Sequence, residues 1–242
     1  MADAGSYQKL DHREHVLLRP GMYIGSVEPE VQRVWVYDTD TCKMCLRDVN
    51  YVPGLFKVAD EIIMNAVDHS VRLKRQRGVS SADVLDKHHP VKRICVSINK
   101  ETGVISVEND GDGIPVQLHA EEGVHVPELI FGHMLTSANY DDSAEERTIG
   151  GQNGIGAKAC NIFSKWFEVE TVDASRKKVY TQRFHDNMSI TDVPTIKNSS
   201  KKPYTRVTFL PDYKRFGIPT DALDDDMYAL LLRRVYDVTA IT

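Results

Sequence analysis

The chain is short of cysteine, of long apolar runs and of excess positive charge. Only four of its 242 residues are cysteine (Cys42, Cys45, Cys95 and Cys160), which excludes a disulfide-stapled scaffold. Cys42 and Cys45 form a lone CxxC with no second pair behind it. His12 and His15 complete a Cys₂His₂ set only if the fold brings them close, so a zinc or redox site there is a minor alternative to coincidence. No stretch approaches the ~20 apolar residues that span a bilayer, and Met1–Leu10 has no apolar signal core. Lys and Arg number 30 against 35 Asp and Glu, a net charge of -5. A chain gripping nucleic acid through its phosphates is normally basic, so tight DNA binding by these residues alone is not expected. Internal repeats and low-complexity blocks are missing too. What is present, 41% hydrophobic and 27% charged residues, builds an ordinary core without staples. The expectation is a soluble intracellular protein of one large or two small domains, with no membrane contact.

Periodicity supplies the elements. Leu55, Ala59, Ile62 and Ala66 make an apolar stripe at helical spacing, widened by Val58 and Ile63, and predict a helix over Leu55–Arg75. Before it, Val34–Tyr37 and Leu46–Val52 suggest strands and a turn around the CxxC. Arg77–Lys92, with Gly78, Ser80, Ser81 and Pro90, reads as an exposed loop. Arg93–Ile98 and Val104–Glu108 alternate like a hairpin, and Val126–Leu135 reads as a short helix. Asn139–Thr148 is acidic and reads as a loop, and Lys158–Trp166 as a helix. Phe167–Val172, Val179–Phe184 and Thr205–Leu210 alternate as strands of one antiparallel sheet. Asp224–Val238 is a final helix.

Three separated motifs carry chemistry. In Asp60-Glu61-Ile-Ile-Met-Asn65-Ala-Val-Asp68, Glu61, Asn65 and Asp68 share one helix face. A carboxylate there can take a proton from water while an amide oxygen one turn on ligates a hard cation such as Mg²⁺. Alone, the same face reads as a solvated polar surface. Glu108-Asn109-Asp110-Gly111-Asp112-Gly113-Ile114-Pro115 follows a strand, and alternate glycines let its turn approach a flat ligand closely. Alone it reads as a tight turn, and it lacks the acidic positions of an EF-hand loop. Gly150-Gly151-Gln-Asn-Gly154-Ile-Gly156-Ala-Lys158 opens a helix, where backbone N–H groups and a lysine suit phosphates. It is not a P-loop, because Ala157 separates Gly156 from Lys158 and Ala159 follows. It is not a Rossmann fingerprint either, because Ser143–Arg147 before it is no apolar strand.

Taken together, the motifs resemble the ATP-binding signature of the GHKL family of gyrase, Hsp90, histidine kinases and MutL. Glu61–Asn65 matches its N-box, Asn109–Gly113 its D-x-G-x-G, and Gly151–Gly156 its glycine-rich lid. His15-Val-Leu-Leu-Arg-Pro-Gly-Met-Tyr-Ile-Gly-Ser26, Trp35-Val-Tyr-Asp38, Val52-Pro-Gly-Leu55, Leu135-Thr-Ser-Ala-Asn-Tyr-Asp-Asp142 and Gly154–Ser164 are similar to the eukaryotic type II DNA topoisomerase branch, over Tyr7 to about Thr239.

The resemblance implies a Bergerat α/β (α+β) two-layer sandwich, with helices on one face of a mixed, largely antiparallel sheet. It implies an N-terminal arm and dimer-contact segment over 1–27 and an ATP-binding domain over 28–242, without the transducer and DNA-cleaving regions. The implied cofactors are ATP and Mg²⁺. Glu61 would be the catalytic base and Asn65 the metal ligand. The nucleotide would be held by Asn65, Asn109, Ser137, Ala138, Asn139, Gly151, Gln152, Asn153, Gly154, Ile155, Gly156, Ala157 and Lys158. Tyr7 would reach a dimer partner's nucleotide.

The implied partners are a second copy on ATP binding and DNA in the full-length enzyme, with weak or no DNA contact by this segment. The early Asp3 and Asp11 are unlike a transit peptide, so the implied location is the nucleus, with the mitochondrion as alternative. Several positions depart from the family pattern. Asn109 replaces the Asp of many members, Ala138 a serine, Gln152 a basic residue, Ile155 a tyrosine and His69 an asparagine. Lys57 takes the place of the histidine that assists the base in gyrase, and an ammonium nearby favours a charged carboxylate. A nucleotide-binding module without turnover and an Hsp90-type chaperone ATPase are the competing readings.

Overall fold

The computed structural model describes residues 10–79, 89–134 and 154–240. Helix α1 (His12–Leu18) begins with a capping box: the Asp11 carboxylate accepts the Glu14 N–H and the Glu14 side chain accepts the Asp11 N–H. Strands β1 (Glu30–Asp38) and β2 (Lys43–Tyr51) pair as a separate antiparallel hairpin. Helix α2 (Pro53–Val79) starts on a proline, whose missing N–H is no loss in a first turn, and extends the expected helix at both ends. After it come β3 (Ile94–Ile98), β4 (Ile105–Asp110), α3 (Val126–Gly132), α4 (Gly156–Ile162), β5 (Ser164–Asp173), β6 (Lys178–His185), β7 (Ile190–Thr191), β8 (Thr195–Asn198), β9 (Tyr204–Pro211) and α5 (Asp225–Thr239).

The main sheet runs β3-β4-β9-β5-β6-β7, with β8 also on β6, and every pairing among the described residues is antiparallel. The late strand β9 inserts between β4 and β5. Its alternation aligns three core-facing rows across the sheet: Ile98-Ile105-Phe209-Phe167-Phe184, Val96-Val107-Val207-Val169-Gln182 and Ile94-Asn109-Thr205-Thr171-Tyr180. Phe167, Phe184 and Phe209 are fully buried, with ring centroids 6.2 and 6.3 Å from Phe167. Burial of each is worth roughly 1.5–3 kcal/mol. Ala59, Ile62, Ile63, Ala66 and Val67 of α2 close this core together with Ala159 and Ile162 of α4, and Val16 and Ile24 join it from the N-terminal side. The outer face is polar, as in the cross-strand set Glu108-Arg206-Glu170. A smaller cluster joins the β1–β2 hairpin to α5 through Val36, Val49, Ala229 and Leu230.

Two expected helices are shorter than their spacing suggests. The helix expected over Lys158–Trp166 stops at Ile162, and Ser164–Trp166 already belong to β5. Ser164 Oγ donates to the Cys160 carbonyl at 2.6 Å and ends the helix, while Trp166 and Phe167 pair with Leu210 and Phe209 of β9. Long-range strand pairing here outweighs a helix-like Ala159-Ile162-Phe163-Trp166 spacing. The helix expected over Val126–Leu135 ends at Gly132. The CxxC falls at the β1–β2 turn, where Cys42 has a positive φ of 53°. His15 instead bonds the Tyr23 hydroxyl at 2.9 Å, and among the described residues no group of three or more His, Cys, Asp or Glu is placed to hold a metal. No helix among them is long and apolar enough to cross a membrane.

Candidate functional site

One face of α2 organises the site. Lys57, Glu61, Asn65 and His69 recur every four residues, so they line up along the helix. Lys57 and Glu61 form an ion pair, as the sequence spacing allows. The Glu61 carboxylate lies against the Cα of Gly156 at the start of α4. A Cβ built on residue 156 would stand 1.9 Å from Glu61 Oε2 and 2.7 Å from its Cδ. A side chain at 156 would have to displace the carboxylate. Two of the three sequence motifs thus meet in space, one turn below Asn65, whose amide is exposed.

The third motif meets α2 through His69. Arg72 donates to His69 Nδ1 at 2.7 Å, which leaves Nε2–H to donate to the Asp112 carbonyl at 2.8 Å. Burial, and then the neighbouring guanidinium, push the His69 ring below the ordinary histidine range. The far side of the turn is fixed as firmly. Asp110 accepts the N–H groups of Lys92 and Arg93, and Asp112 accepts the His89 N–H at 2.8 Å. Gly113 packs on β5 so tightly that a Cβ would stand 2.0 Å from the Val172 carbonyl oxygen.

The floor beside this turn is the polar row Asn109-Thr205-Thr171, which continues the apolar rows of the sheet toward one end. Asn109 and Thr171 are buried, and the Thr171 and Thr205 hydroxyls lie 2.9 Å apart. Thr171 also accepts the Ile114 N–H at 2.9 Å. Thr171 and Thr205 belong to none of the three motifs. Their signal was a hydroxyl residue at the core-facing position of an otherwise apolar strand.

Of the glycine-rich segment, Gly154, Ile155, Gly156, Ala157 and Lys158 are described, and they lead into α4 beside Glu61. Lys158 is 2% exposed and donates to the Gly154 carbonyl at 2.5 Å; burial pushes its ammonium down to about 8. Cys160, fully buried behind it, has its thiol pushed well up by the same desolvation. Tyr7, Ser137, Ala138, Asn139, Gly151, Gln152 and Asn153 lie outside the described residues, as does the expected Asn139–Thr148 loop. The described part brings together a paired carboxylate, an exposed amide, a glycine-lined approach and a buried polar floor. That set suits a nucleotide.

The sequence profile of the histidine kinase-, DNA gyrase B-, and HSP90-like ATPase family matches residues 50–215, and the chain belongs to that family. Within it, the chain is 48% identical over 232 residues to DNA topoisomerase 2 of Plasmodium falciparum, covering 96% of this chain and 16% of that protein. It is 47% identical over 233 residues to DNA topoisomerase 2 of Saccharomyces cerevisiae, covering 96% of this chain and 15% of that protein. The solved ATPase region of Saccharomyces cerevisiae topoisomerase II superposes with a TM-score of 0.87 at 46% identity, over 98% of this chain and 58% of that one. The ATPase and transducer domains of DNA topoisomerase II from Balamuthia mandrillaris give 0.85 at 43% identity, over 98% and 58%. The antiparallel sheet under one helical layer is therefore the GHKL ATPase fold that the motifs imply.

Proposed function

We propose that this chain is the ATP-binding and hydrolysing segment of a type II DNA topoisomerase. The observation that supports this most is the seating of Glu61 against Gly156, which places a carboxylate at the mouth of the glycine-rich segment. In this reading Glu61 is the general base that takes a proton from the attacking water, and Lys57 holds its carboxylate in place. Asn65 offers an exposed amide oxygen suited to Mg²⁺, which when bound neutralises phosphate charge. Asn109, backed by Thr205 and Thr171, reads the adenine edge. Gly154 to Lys158 approach the phosphates, joined by Gly151, Gln152 and Asn153, while Ser137, Ala138 and Asn139 serve the ribose and phosphates. Tyr7 reaches the nucleotide of a second copy.

In the whole protein, ATP binding then brings two copies together as a gate for DNA, and hydrolysis reopens it. The activity is strand passage, in the nucleus or alternatively on a mitochondrial genome. A second reading, a binding module with negligible turnover of its own, is favoured by one fact: the chain spans 58% of the solved ATPase region that it matches. Phosphate release from MgATP by wild-type and Glu61→Gln chains separates the two. Release by wild type that is lost in Glu61→Gln supports the enzyme. Equal, background release by both, with nucleotide still bound, supports the module.

A further inference from the structure

The net charge of -5 hides an uneven distribution. Residues 174–206 carry eight Lys or Arg and two Asp. The fold gathers most of those cations at one end of the main sheet, where the β5–β6 turn meets the link between β8 and β9. The Ser199 N–H donates to the Lys177 carbonyl at 2.9 Å, and Lys178 and Val179 pair with Asn198 and Lys197. Lys177, Lys201 and Lys202 therefore stand on two adjoining segments, with Lys178 and Lys197 flanking them on opposite faces of the β6–β8 pair. Arg183 and Arg206 of the same stretch are neutralised by Glu168, Glu108 and Glu170. The five lysines have no carboxylate within ion-pair distance among the described residues; Lys178 bonds only the Asn198 amide oxygen, at 2.7 Å.

The cluster is held on a firm base. Asp173, buried, accepts from Ser175, from the Arg176 backbone and guanidinium, and from the Val116 N–H. Arg176 also reaches the Gln117 side chain. Pro203 is buried, which anchors Lys201 and Lys202 at their link. Neutral donors stand among the cations, including the Ser199 and Ser200 hydroxyls. The aromatic ring at hand, Tyr204, has Lys201 at 6.0 Å and Arg206 at 5.3 Å from its centroid.

We propose that this end of the sheet, formed by the β5–β6 turn and the β8–β9 link, binds the phosphate backbone of duplex DNA without reading its sequence. Exposed lysines interleaved with hydroxyls are what phosphate contacts use. A duplex presents a charge every ~1.7 Å along its axis, so several lysines engage at once. An acidic polypeptide partner normally adds a central apolar or aromatic anchor, and Tyr204 is already engaged by two cations. Local charge, rather than the net value, sets this contact. It is weak and salt-sensitive, and it lies just beyond Thr171 on β5, next to the floor of the nucleotide site.

The test needs no nucleotide, so its failure is distinguishable from failure of the ATPase reading. Anisotropy of a labelled duplex of about 20 base pairs is followed as the 242-residue chain is added, from about 25 to about 200 mM salt. The expected slope of log K against log salt is about -3, for three to four phosphates. In Lys177→Ala/Lys201→Ala/Lys202→Ala the slope shrinks to about -1 and affinity at low salt falls about tenfold or more, with an unchanged melting curve. Equal binding by the folded variant, or no binding by wild type at the lowest salt, overturns the proposal. Polyglutamate competing better than unlabelled duplex also overturns it, in favour of an acidic protein partner.

Discussion

Glu61 and Gly156 occupy one space between them: the Oε2 of Glu61 lies 1.9 Å from where a Cβ on residue 156 would stand. The two residues come from motifs about a hundred positions apart in sequence. Adding a methyl group at 156 must push the carboxylate away, and the clash is with the far end of a flexible side chain.

Gly156→Ala is therefore expected to disable chemistry while sparing the fold. Stability should change by less than about 1 kcal/mol, because alanine also improves helix propensity. Hydrolysis should fall about 10²-fold or more, the usual contribution of a positioned base. Thermal melts and phosphate-release rates measured on the same preparation check both halves. A collapse of stability together with activity would mean that Glu61 cannot yield.

Lys158 sets binding against stability. Its ammonium is charged at neutral pH although buried, with a folded value of about 8 against 10.5 when unfolded. Between those values the unfolded chain holds a proton that the folded chain has lost. Stability from this residue therefore rises with pH across that window, and below about 8 the full penalty applies. Lys158→Met is expected to stabilise the chain by about 1–3 kcal/mol near pH 7 and to weaken binding of an ATP analogue about tenfold. Urea unfolding at pH 7 and pH 9.5 checks the first claim, since the advantage of the variant should shrink at the higher pH. Calorimetry checks the second.

Much of this was legible in the sequence, and the misses share a cause. The Leu55-Ala59-Ile62-Ala66 stripe located α2 because a long amphipathic helix repeats its own signal. Lys57 and Glu61 met as their spacing allows. Local spacing puts Trp166 in a helix because strand pairing with β9, more than forty residues downstream, is invisible to local periodicity. Thr171 and Thr205 are silent in the sequence for the same reason. Each is an ordinary strand residue until the register sets them beside one another and beside Asn109.

Thr205→Val tests that polar floor. Thr171 keeps the Ile114 N–H and the Tyr204 carbonyl as partners, so the cost in stability should be below about 1 kcal/mol. Affinity for an adenine nucleotide is expected to fall about fivefold to tenfold, with inorganic triphosphate unaffected. Competition binding with both ligands distinguishes loss of base recognition from general damage.

His69 gives the turn a pH dependence of the same sign as that of Lys158, in a lower pH window. Its folded ring titrates below the unfolded value of 6.5, so as the pH drops below 6.5 the unfolded state takes up a proton that the folded ring declines. Wild type should lose stability between roughly pH 7 and pH 5 from this residue. His69→Gln keeps a donor for the Asp112 carbonyl without the titration and should show a flatter profile. Chemical unfolding across that range, compared between the two proteins, measures the difference.

The central claim is that the α2 face and the glycine-rich segment form one Mg²⁺–nucleotide site. Calorimetric titration with a non-hydrolysable ATP analogue, with and without Mg²⁺, on wild type and Asn65→Ala tests it most directly. Saturable binding that Mg²⁺ strengthens in wild type and scarcely affects in Asn65→Ala is the expected result. Binding that is indifferent to both Mg²⁺ and Asn65, or no binding at millimolar nucleotide, would contradict the account.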